Sequence, residues 1–399
     1  MEAFNNLMRR KSMQTKMCFH AGLNTIGGNI TEIRYGNDRI IFDFGRAYDP
    51  TKEVDYLPEI EGVYDGESDY NTAVFISHLH LDHMAIIDKI HRSIPIYMSE
   101  QSKKLYEALL EVGENPKVPL EQIKTFDDGV TIGEIKVTAY PTDHGIVGSC
   151  ALFVETPDRT VSYSGDIRMH GNEVHKNHEW IGAMRKANPD YLLMEGTSFF
   201  PPSERLSKER FTEDAALEMV SKSLDEATGV VFFNIYNRNV ARLIRFIEIC
   251  KNMGKTIVFE QPTATIVRKF TSENFEILTS ELEEKIKNNP NNYFVQNSFE
   301  NIKKLSDYNI QNAVYIHSDG TPLGEFDPSF EKMQIFLETL NIKYVSAACS
   351  GHADKDSILY IIDQIKPKTL VPWHSLCPQD VIPLDENQQV FLPVVGEWV

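Results

Sequence analysis

The sequence predicts an α/β protein, and three observations support this prediction. Short apolar runs rich in β-branched residues, such as Thr72–Ser77, recur along the chain and are typical of buried strands. After Gly196 these runs alternate with segments of helical periodicity, which indicates a parallel sheet covered by helices. The chain has 399 residues, of which 42% are hydrophobic, so it is long enough for two domains or for a core with an insertion.

The first half of the chain is predicted to be rich in strands. Residues 1–15 are polar and are expected to form a flexible arm, and residues 46–70 are expected to form a long loop. A helix is expected over 100–112, where apolar residues share one face. The predicted strands are 29–35, 39–44, 73–77, 94–98, a pair within 130–141, 151–156, 160–163 and 191–194.

The second half is predicted to alternate strands with helices. Residues 285–301 are rich in asparagine and are expected to be irregular. The predicted strands are 229–233, 256–259, 313–316, 344–348 and 369–371, and the predicted helices are 212–228, 240–253, 330–340 and 355–365.

Composition limits the classes of function. The net charge of −18 argues against a high-affinity nucleic-acid binder, although an enzyme that holds phosphates only near metal ions remains compatible with it. The five cysteines are scattered and form no C-x-x-C pair, so we expect reduced, buried side chains and a cytoplasmic protein. No apolar run approaches the roughly 18 residues of a membrane span, and we expect no membrane partner.

The most informative stretch is S-H-L-H-L-D-H, residues 77–83. It places three histidines and one aspartate directly after the predicted strand 73–77. Imidazoles and a carboxylate are ligands that zinc prefers. The alternative is a solvated polar loop. The predicted ligands are His78, His80, Asp82 and His83.

Three later strand ends supply further ligand types. His144 follows one predicted strand, Asp166 follows another, and His374 follows the strand 369–371. Strand ends at one edge of a sheet converge, so we expect these side chains to meet the first cluster. Seven ligands are enough for two metal ions with room for water. In contrast, Arg168 is interpreted as a surface charge, although it lies two residues from Asp166.

These motifs resemble the metallo-β-lactamase superfamily: H-L-H-L-D-H, then a single histidine, then G-D, then a late histidine. The resemblance extends to the β-CASP branch of nucleic-acid-processing enzymes, which includes ribonuclease J. The stretches that carry it are L-L-M-E-G-T with Glu195, C-S-G-H-A with His352, and K-P-K-T-L-V-P-W-H with His374.

The resemblance implies an α/β fold in which an αββα sandwich carries an inserted α/β cap. The core would comprise residues 16–196 and 346–399, and the cap would be 197–345. His78, His80 and His144 would hold one metal ion. Asp82, His83 and His374 would hold the second, with Asp166 as the bridge. The ions would be two divalent metals, zinc or alternatively manganese.

Further roles are implied in the same way. Asp43 would orient ligands, or else it is only the turn residue that ends its strand. Asp82, Asp166, His352 and Glu195 would be catalytic, although Glu195 could instead be a buried carboxylate bonded to a site histidine. Substrate contacts are expected at Ser350, Gly351, Asn239 and Arg242.

The leading hypothesis is a two-metal phosphodiesterase, a nuclease that cleaves RNA or single-stranded DNA. An alternative is a hydrolase of a small ester, lactone or phosphodiester. It is favoured by the acidic charge and by Glu260–Pro262, where the family has a basic Gly-Arg-type turn. A third hypothesis is a non-catalytic pseudo-nuclease scaffold, which the complete ligand set disfavours. A homodimer is compatible with each hypothesis.

Overall fold

The computed structural model describes residues 13–47, 57–114, 116–126, 129–201, 212–308, 310–325 and 327–399. Residues 1–12 of the predicted arm and residues 48–56 of the predicted loop lie outside this part of the chain. Among the described residues, no helix is both long and apolar enough to cross a membrane.

Each predicted strand and helix has a counterpart among the described elements, and further elements that were not predicted lie between them, including the helices Val174–Ala187 and Gln261–Arg268. The strands are β1 (Lys16–Ala21), β2 (Ile30–Tyr35), β3 (Asp38–Phe42), β4 (Asn71–Phe75), β5 (Ile96–Met98), β6 (Ile123–Thr125), β7 (Val130–Ile132), β8 (Ile135–Pro141), β9 (Cys150–Glu155), β10 (Thr160–Tyr163), β11 (Tyr191–Glu195), β12 (Val231–Ile235), β13 (Thr256–Phe259), β14 (Glu276–Ile277), β15 (Tyr293–Gln296), β16 (Val314–Ser318), β17 (Lys343–Ser346), β18 (Thr369–Trp373) and β19 (Gln389–Val390).

The helices lie between these strands. They are α1 (Leu81–Met84), α2 (Glu100–Glu111), α3 (Val174–Ala187), α4 (Glu213–Glu226), α5 (Val240–Asn252), α6 (Gln261–Arg268), α7 (Ser280–Asn288), α8 (Pro328–Thr339) and α9 (Lys355–Ile365). Short 3-10 helices span Ile87–Lys89, Pro290–Asn292, Phe299–Asp307 and Pro378–Asp380.

Two sheets form the centre of the core. The first has six strands in chain order from β1 to β6, and the second has seven in the order β19-β18-β11-β10-β9-β8-β7. Their inner faces pack together through aromatic side chains, including Phe42 against Tyr163 and Tyr163 against Trp373. The outer face of the first sheet is covered by α2, and that of the second by α3 and α9. This arrangement is the αββα sandwich that the family resemblance implied.

The third sheet belongs to the cap. It has six parallel strands in the order β14-β13-β15-β12-β16-β17. Helices α4, α5 and α6 contribute to the apolar cluster on one face, and α7, the 3-10 helix Phe299–Asp307 and α8 contribute to the other. The sheet and its helices occupy residues 213–346, so they overlap the proposed cap of 197–345, whose limits remain a proposal.

The prediction that residues 285–301 are irregular was wrong. This segment contains the end of α7 and all of β15, which pairs with both β13 and β12 inside the cap sheet. The hydrophobic run in this segment has only three residues, Tyr293, Phe294 and Val295, so it is too short to show periodicity. Pairing on both sides supplies the stability that local propensity does not.

Candidate metal centre

The predicted ligands are brought together at one edge of the core. Residues 78–83 follow β4, and His144 follows β8. Asp166 follows β10, and His374 comes directly after β18. The seven side chains form two neighbouring groups in which the potential ligand atoms lie within 4.8 Å of one another. The groups are His78, His80 and His144, and Asp82, His83, Asp166 and His374.

In the first group, the ring nitrogens of three histidines converge on one point. His80 Nδ1 lies 3.1 Å from His78 Nε2 and 2.9 Å from His144 Nε2. Ligand atoms around one tetrahedral zinc ion lie about 3.3 Å apart when each Zn–N distance is near 2.0–2.1 Å. The group therefore has nearly the spacing that a single zinc ion requires.

The second group combines carboxylates with histidines. His374 Nε2 lies 3.2 Å from Asp82 Oδ2, and His83 Nε2 lies 3.1 Å from Asp166 Oδ2. The same Asp166 oxygen lies 3.6 Å from His144 Nε2, so this carboxylate lies between the two groups. The other oxygen, Asp166 Oδ1, is buried and accepts no hydrogen bond. A buried carboxylate oxygen without a partner is costly, and a bound cation would satisfy it.

Four of the five histidines are oriented by a contact on the far side of the ring. His83 Nδ1 donates to Asp43 Oδ2 at 2.7 Å, and His374 Nδ1 donates to Thr197 Oγ1 at 2.7 Å. His78 Nδ1 contacts Ser77 Oγ at 3.0 Å, and His144 Nδ1 contacts the Gly351 carbonyl oxygen. Such contacts fix the tautomer, so that the opposite nitrogen faces the metal site with its lone pair.

Asp43 is held in place by several hydrogen bonds. Besides His83, its carboxylate accepts hydrogen bonds from the Ser77 backbone N–H at 2.7 Å and from the Tyr163 hydroxyl at 2.5 Å. Its backbone has φ of +57°, and His374 has φ of +49°. Left-handed backbone at non-glycine residues costs about 1–3 kcal/mol and persists where the surroundings enforce it. The contacts around Asp43 hold it in this conformation, and its role in orienting His83 remains a proposal.

Burial and neighbouring charges shift the pKa values of three ligand histidines and of Asp166 in the direction that favours metal binding. At His83 burial is outweighed by Asp166, Asp82 and Asp43, which raise the pKa of the ring well above its usual range, so a metal ion would have to displace a proton there. Burial lowers the pKa of His80 to about 4 and holds those of His78 and His144 well below the usual range. These rings are therefore neutral at pH 7, as ligands must be. Burial alone would raise the pKa of Asp166, but His374, His83 and His352 outweigh it and keep that carboxyl ionised.

The geometry and the donor set fit two divalent metal ions. The atoms that face the site are five imidazole nitrogens and the oxygens of two carboxylates. One of these oxygens, Asp166 Oδ1, accepts no hydrogen bond. Nitrogen and carboxylate donors at this spacing suit zinc, and a shared carboxylate between two groups is a common feature of two-metal sites.

His352 and Glu195 lie beside the ligands. His352 Nδ1 is 3.1 Å from Glu195 Oε2 and 3.8 Å from Asp166 Oδ2, and its ring stacks on that of His374 at 5.7 Å. Burial opposes the charged form of His352, but Glu195 and Asp166 outweigh this effect and raise its pKa to about 9. The side chain is 23% exposed, so it forms part of the rim of the site.

Ser350 and Gly351 shape the loop that presents His352. Ser350 Oγ accepts a hydrogen bond from the His352 backbone N–H at 3.1 Å. A Cβ atom at Gly351 would lie 2.8 Å from the carbonyl oxygen of His144, so only glycine fits here. Both residues lie at the site, where contact with a substrate remains a proposal.

The interpretation of Arg168 as a surface charge was wrong. Its guanidinium is buried and donates to Asp143 at 2.7 Å and to Glu213 at 2.9 Å. Glu213 in α4 also accepts from Arg242, which donates further to Asp319 at 2.6 Å. We call these five residues the arginine–carboxylate cluster. It connects the cap to the loops that carry His144 and Asp166.

Two of the expected substrate contacts have internal partners instead. Arg242 belongs to the arginine–carboxylate cluster and is 1% exposed. Asn239 precedes α5, and its side-chain oxygen accepts from the Arg242 backbone N–H at 3.2 Å, as a helix N-cap does. These contacts stabilise the cap and differ from the expected role in substrate binding.

Comparisons with known proteins agree with this geometry. Residues 66–222 match a family described as beta-lactamase superfamily domain. Residues 341–379 match a family described as Zn-dependent metallo-hydrolase RNA specificity domain. The second match covers the S-G-H-A stretch and His374.

Similar proteins include ribonuclease J of Mycoplasma genitalium, which is 26% identical over 61% of this chain and 43% of its own length. The chain thus spans less than half of that relative. The protein named "Probable RNase MJ4" of Methanocaldococcus jannaschii is 22% identical over 96% of this chain and 99% of its own. A crystal structure of a protein of unknown function from Enterococcus faecalis has a TM-score of 0.84 and 28% identity, over 96% of this chain and 99% of that chain. The chain belongs to the metallo-β-lactamase superfamily, in its ribonuclease J-like β-CASP branch.

Proposed function

We propose that the protein is a metal-dependent phosphodiesterase that cleaves RNA. The observation that carries this proposal is the pair of ligand groups joined by Asp166, with His352 at their rim. Support also comes from relatives named ribonuclease J and from the match at residues 341–379 to an RNA specificity domain. We propose single-stranded DNA as a second nucleic-acid substrate.

The ions are two divalent cations, zinc or manganese. When bound, they supply Lewis acidity towards a phosphoryl oxygen and lower the pKa of a coordinated water. The protein's own contribution is to fix five imidazoles and the carboxylates of Asp82 and Asp166 in place before the substrate arrives. Asp166, which lies between both groups, is positioned to hold the proton of the attacking water.

We assign His352 the role of contacting the scissile phosphate. Glu195 accepts from the Ile167 backbone N–H at 2.9 Å and contacts His352 Nδ1, so it holds the imidazole towards the metal centre. From this position the ring of His352 donates a hydrogen bond to a non-bridging oxygen or to the leaving oxygen. Glu195 is therefore assigned a positioning role through His352.

A second candidate is a hydrolase of small phosphodiesters. The net charge of −18 favours it, because long-range repulsion disfavours polyanions. Residues Glu260, Gln261 and Pro262 also stand where the family has a basic turn.

The test is cleavage of labelled substrates by the purified protein with zinc or manganese. RNA with 5′-phosphate and with 5′-hydroxyl ends, single-stranded DNA and bis(p-nitrophenyl) phosphate would be compared. We expect RNA to be cleaved, and His352→Ala to lose at least about 100-fold in kcat, the lower range for a proton-transfer group. His178→Ala, at an exposed position on α3, is the matched control. Cleavage of bis(p-nitrophenyl) phosphate alone would support the second candidate, and undiminished cleavage by His352→Ala would contradict the assigned role.

We further propose a cap insertion over residues 197–345, a cytoplasmic location and a homodimer. The described cysteines, all five of the chain, are buried and unpaired, as is typical of a reducing compartment. Light scattering coupled to gel filtration tests the dimer, which a single species of 45.6 kDa would contradict.

A further inference from the structure

A cavity of about 380 Å³ opens at the amino end of β4, in the first sheet of the core. Its wall includes Arg39 in β3, residues 70–72 at the start of β4, and residues 93–95 before β5. The metal ligands follow the other end of β4, because Thr72 and His78 are roughly 20 Å apart along an extended strand. The cavity is therefore separate from the metal centre, and the residues that line it all belong to the core.

The guanidinium of Arg39 is buried in the wall of this cavity and lacks most of its hydrogen-bond partners. Its Nε donates to Thr72 Oγ1 at 2.9 Å, whereas Nη1 and Nη2 donate to nothing. Arg39 is 0% exposed, and buried polar nitrogens are nearly always paired. The N–H groups of both terminal nitrogens are therefore available to an acceptor that enters the cavity.

The charge of Arg39 is not compensated by a counter-ion of its own. Among the described residues, Glu32 supplies the nearest carboxylate, with Oε1 3.8 Å from Arg39 Nη1. The same oxygen already accepts a hydrogen bond from Arg34 Nε, and Glu32 Oε2 lies 2.7 Å from His20 Nε2. Glu61 also acts on Arg39, but from the exposed surface. A buried charge without its own partner is costly, and an anion in the cavity would neutralise it.

Neighbouring side chains hold the guanidinium in place before any ligand binds. The ring centre of Tyr70 is 4.9 Å from Arg39 Cζ, and the Tyr70 hydroxyl accepts from Arg34 Nη1 at 2.8 Å. Thr72 Oγ1, which accepts from Arg39 Nε, donates to the Tyr70 carbonyl oxygen at 3.3 Å. Because these contacts fix the donors, binding an anion would cost little further conformational entropy.

The rest of the wall determines which anion fits. Among the described residues that line the cavity, Arg39 is the only one with a charged side chain. A phosphate would need further cations or several convergent backbone N–H groups. One guanidinium instead matches one carboxylate, which it binds through two parallel N–H···O bonds. The apolar part of the wall would contact a hydrocarbon group, and it comprises Ile94, Pro95 and Ile132.

We propose that this cavity binds a small organic carboxylate. The two carboxylate oxygens accept hydrogen bonds from Nη1 and Nη2 of Arg39, and the hydrocarbon part of the ligand lies against the apolar part of the wall. The volume is at the lower end of the range of about 300–1,000 Å³ that is usual for small-ligand sites. This site is independent of the metal centre and of the proposed cleavage of RNA.

The first test compares carboxylates with their neutral counterparts. Butyrate, succinate and benzoate, the corresponding amides, and inorganic phosphate would each be titrated into the full chain and followed by ligand-observed NMR. At about 10 mM ligand, a site with a Kd of about 1 mM is about 90% occupied. We expect at least one carboxylate to bind, its amide not to bind, and phosphate not to displace it. Absence of carboxylate binding, equal binding of the amide, or displacement by phosphate would overturn the carboxylate site.

The second test locates the binding in this cavity. Ser93→Trp places a large side chain at the exposed rim and leaves Arg39 in place, so it should abolish binding. Ser272→Trp, at an exposed position on the cap, is the matched control and should bind as the wild type does. Arg39→Lys keeps the charge but loses the planar fork, and it should weaken binding at least about tenfold.

Each variant would be checked for a native melting curve and for wild-type metal content. The metal content separates a loss of binding at this cavity from damage to the metal centre, where a carboxylate could also coordinate. Undiminished binding in either Ser93→Trp or Arg39→Lys, or an equal loss in Ser272→Trp, would contradict the assignment of the ligand to Arg39.

Discussion

The metal centre and the arginine–carboxylate cluster are two buried polar clusters that lie side by side. They differ in which hydrogen-bond and charge partners their polar atoms have. In the arginine–carboxylate cluster each arginine faces carboxylates, as in the contacts of Glu213 with Arg168 and Arg242 at 2.9 and 2.6 Å. In the metal centre five histidines face one another, with only Asp82 and Asp166 among them. Asp166 Oδ1 accepts no hydrogen bond, and His374 Nδ1 lies 3.8 Å from it.

This difference separates a structural cluster from a functional one. Paired charges with complementary hydrogen bonds hold two parts of the fold together. They leave no donor or acceptor free to bind a ligand. Ring nitrogens that converge on one point, beside a buried carboxylate oxygen that accepts no hydrogen bond, have the arrangement that a bound cation would complete. The contrast predicts that damage to the first cluster costs stability, whereas damage to the second costs metal and activity.

The largest effect is expected at Asp166. Asp166→Asn removes the carboxylate between the two groups, so metal content should fall and activity should drop by at least about 10³-fold, because a metal ion is worth several kcal/mol in the transition state. Elemental analysis and RNA cleavage measure these effects. Asp214→Asn, at an exposed position on α4, is the control. Normal metal content in Asp166→Asn would refute the bridge.

The next effect is expected in the arginine–carboxylate cluster. Glu213→Gln leaves Arg168 and Arg242 buried without their shared partner, which should cost about 3–5 kcal/mol in the free energy of unfolding. Urea unfolding followed by circular dichroism measures it. Glu226→Gln breaks an exposed pair with Lys222 and should cost less than about 1 kcal/mol. Equal losses in the two variants would contradict the structural role of the cluster.

A smaller effect should appear as pH dependence. Burial opposes ionisation of Glu213, but Arg242 and Arg168 outweigh it and lower its pKa from 4.5 to about 2. The folded state therefore binds fewer protons than the unfolded state in this window, so this stabilisation is complete above pH 4.5 and is lost as pH falls towards 2. The difference in unfolding free energy between wild type and Glu213→Gln should shrink from pH 6 to pH 3. A constant difference would show that Glu213 does not titrate in this way.

The smallest effect concerns the partner of His374. Thr197→Val keeps the shape of the side chain but removes the oxygen that orients His374 Nδ1, so metal affinity should fall about tenfold. Thr197→Ser retains the hydroxyl and should restore most of it. Competition with a zinc chelator measures the affinity. Equal affinities of the valine and serine variants would indicate that the hydroxyl has no orienting role.

The metal centre was predictable from the sequence for a simple reason. Each of the seven proposed ligands lies within about ten residues of a predicted strand, and the local pattern shows both the strand and the ligand type. We expected the ligands to converge because strand ends at one edge of a sheet lie close together. The sequence did not show that the ligands come from two packed sheets, with β4 in the first and β8, β10 and β18 in the second. The αββα sandwich came from the family resemblance, because periodicity alone indicated only the α/β class.

What the sequence could not show depends on contacts between distant segments. Arg168 looks like any surface arginine until Glu213, 45 residues away, is folded against it. The orienting contact of Thr197 with His374 spans 177 residues, and the cavity beside Arg39 is lined by segments between residues 39 and 132. The sequence by itself determined which residues can bind metal, because ligand chemistry and strand ends are local. Only the tertiary structure decided which buried polar groups have a hydrogen-bond partner and which remain available to a ligand. The reason is that these partners come from side chains and backbone groups packed around them.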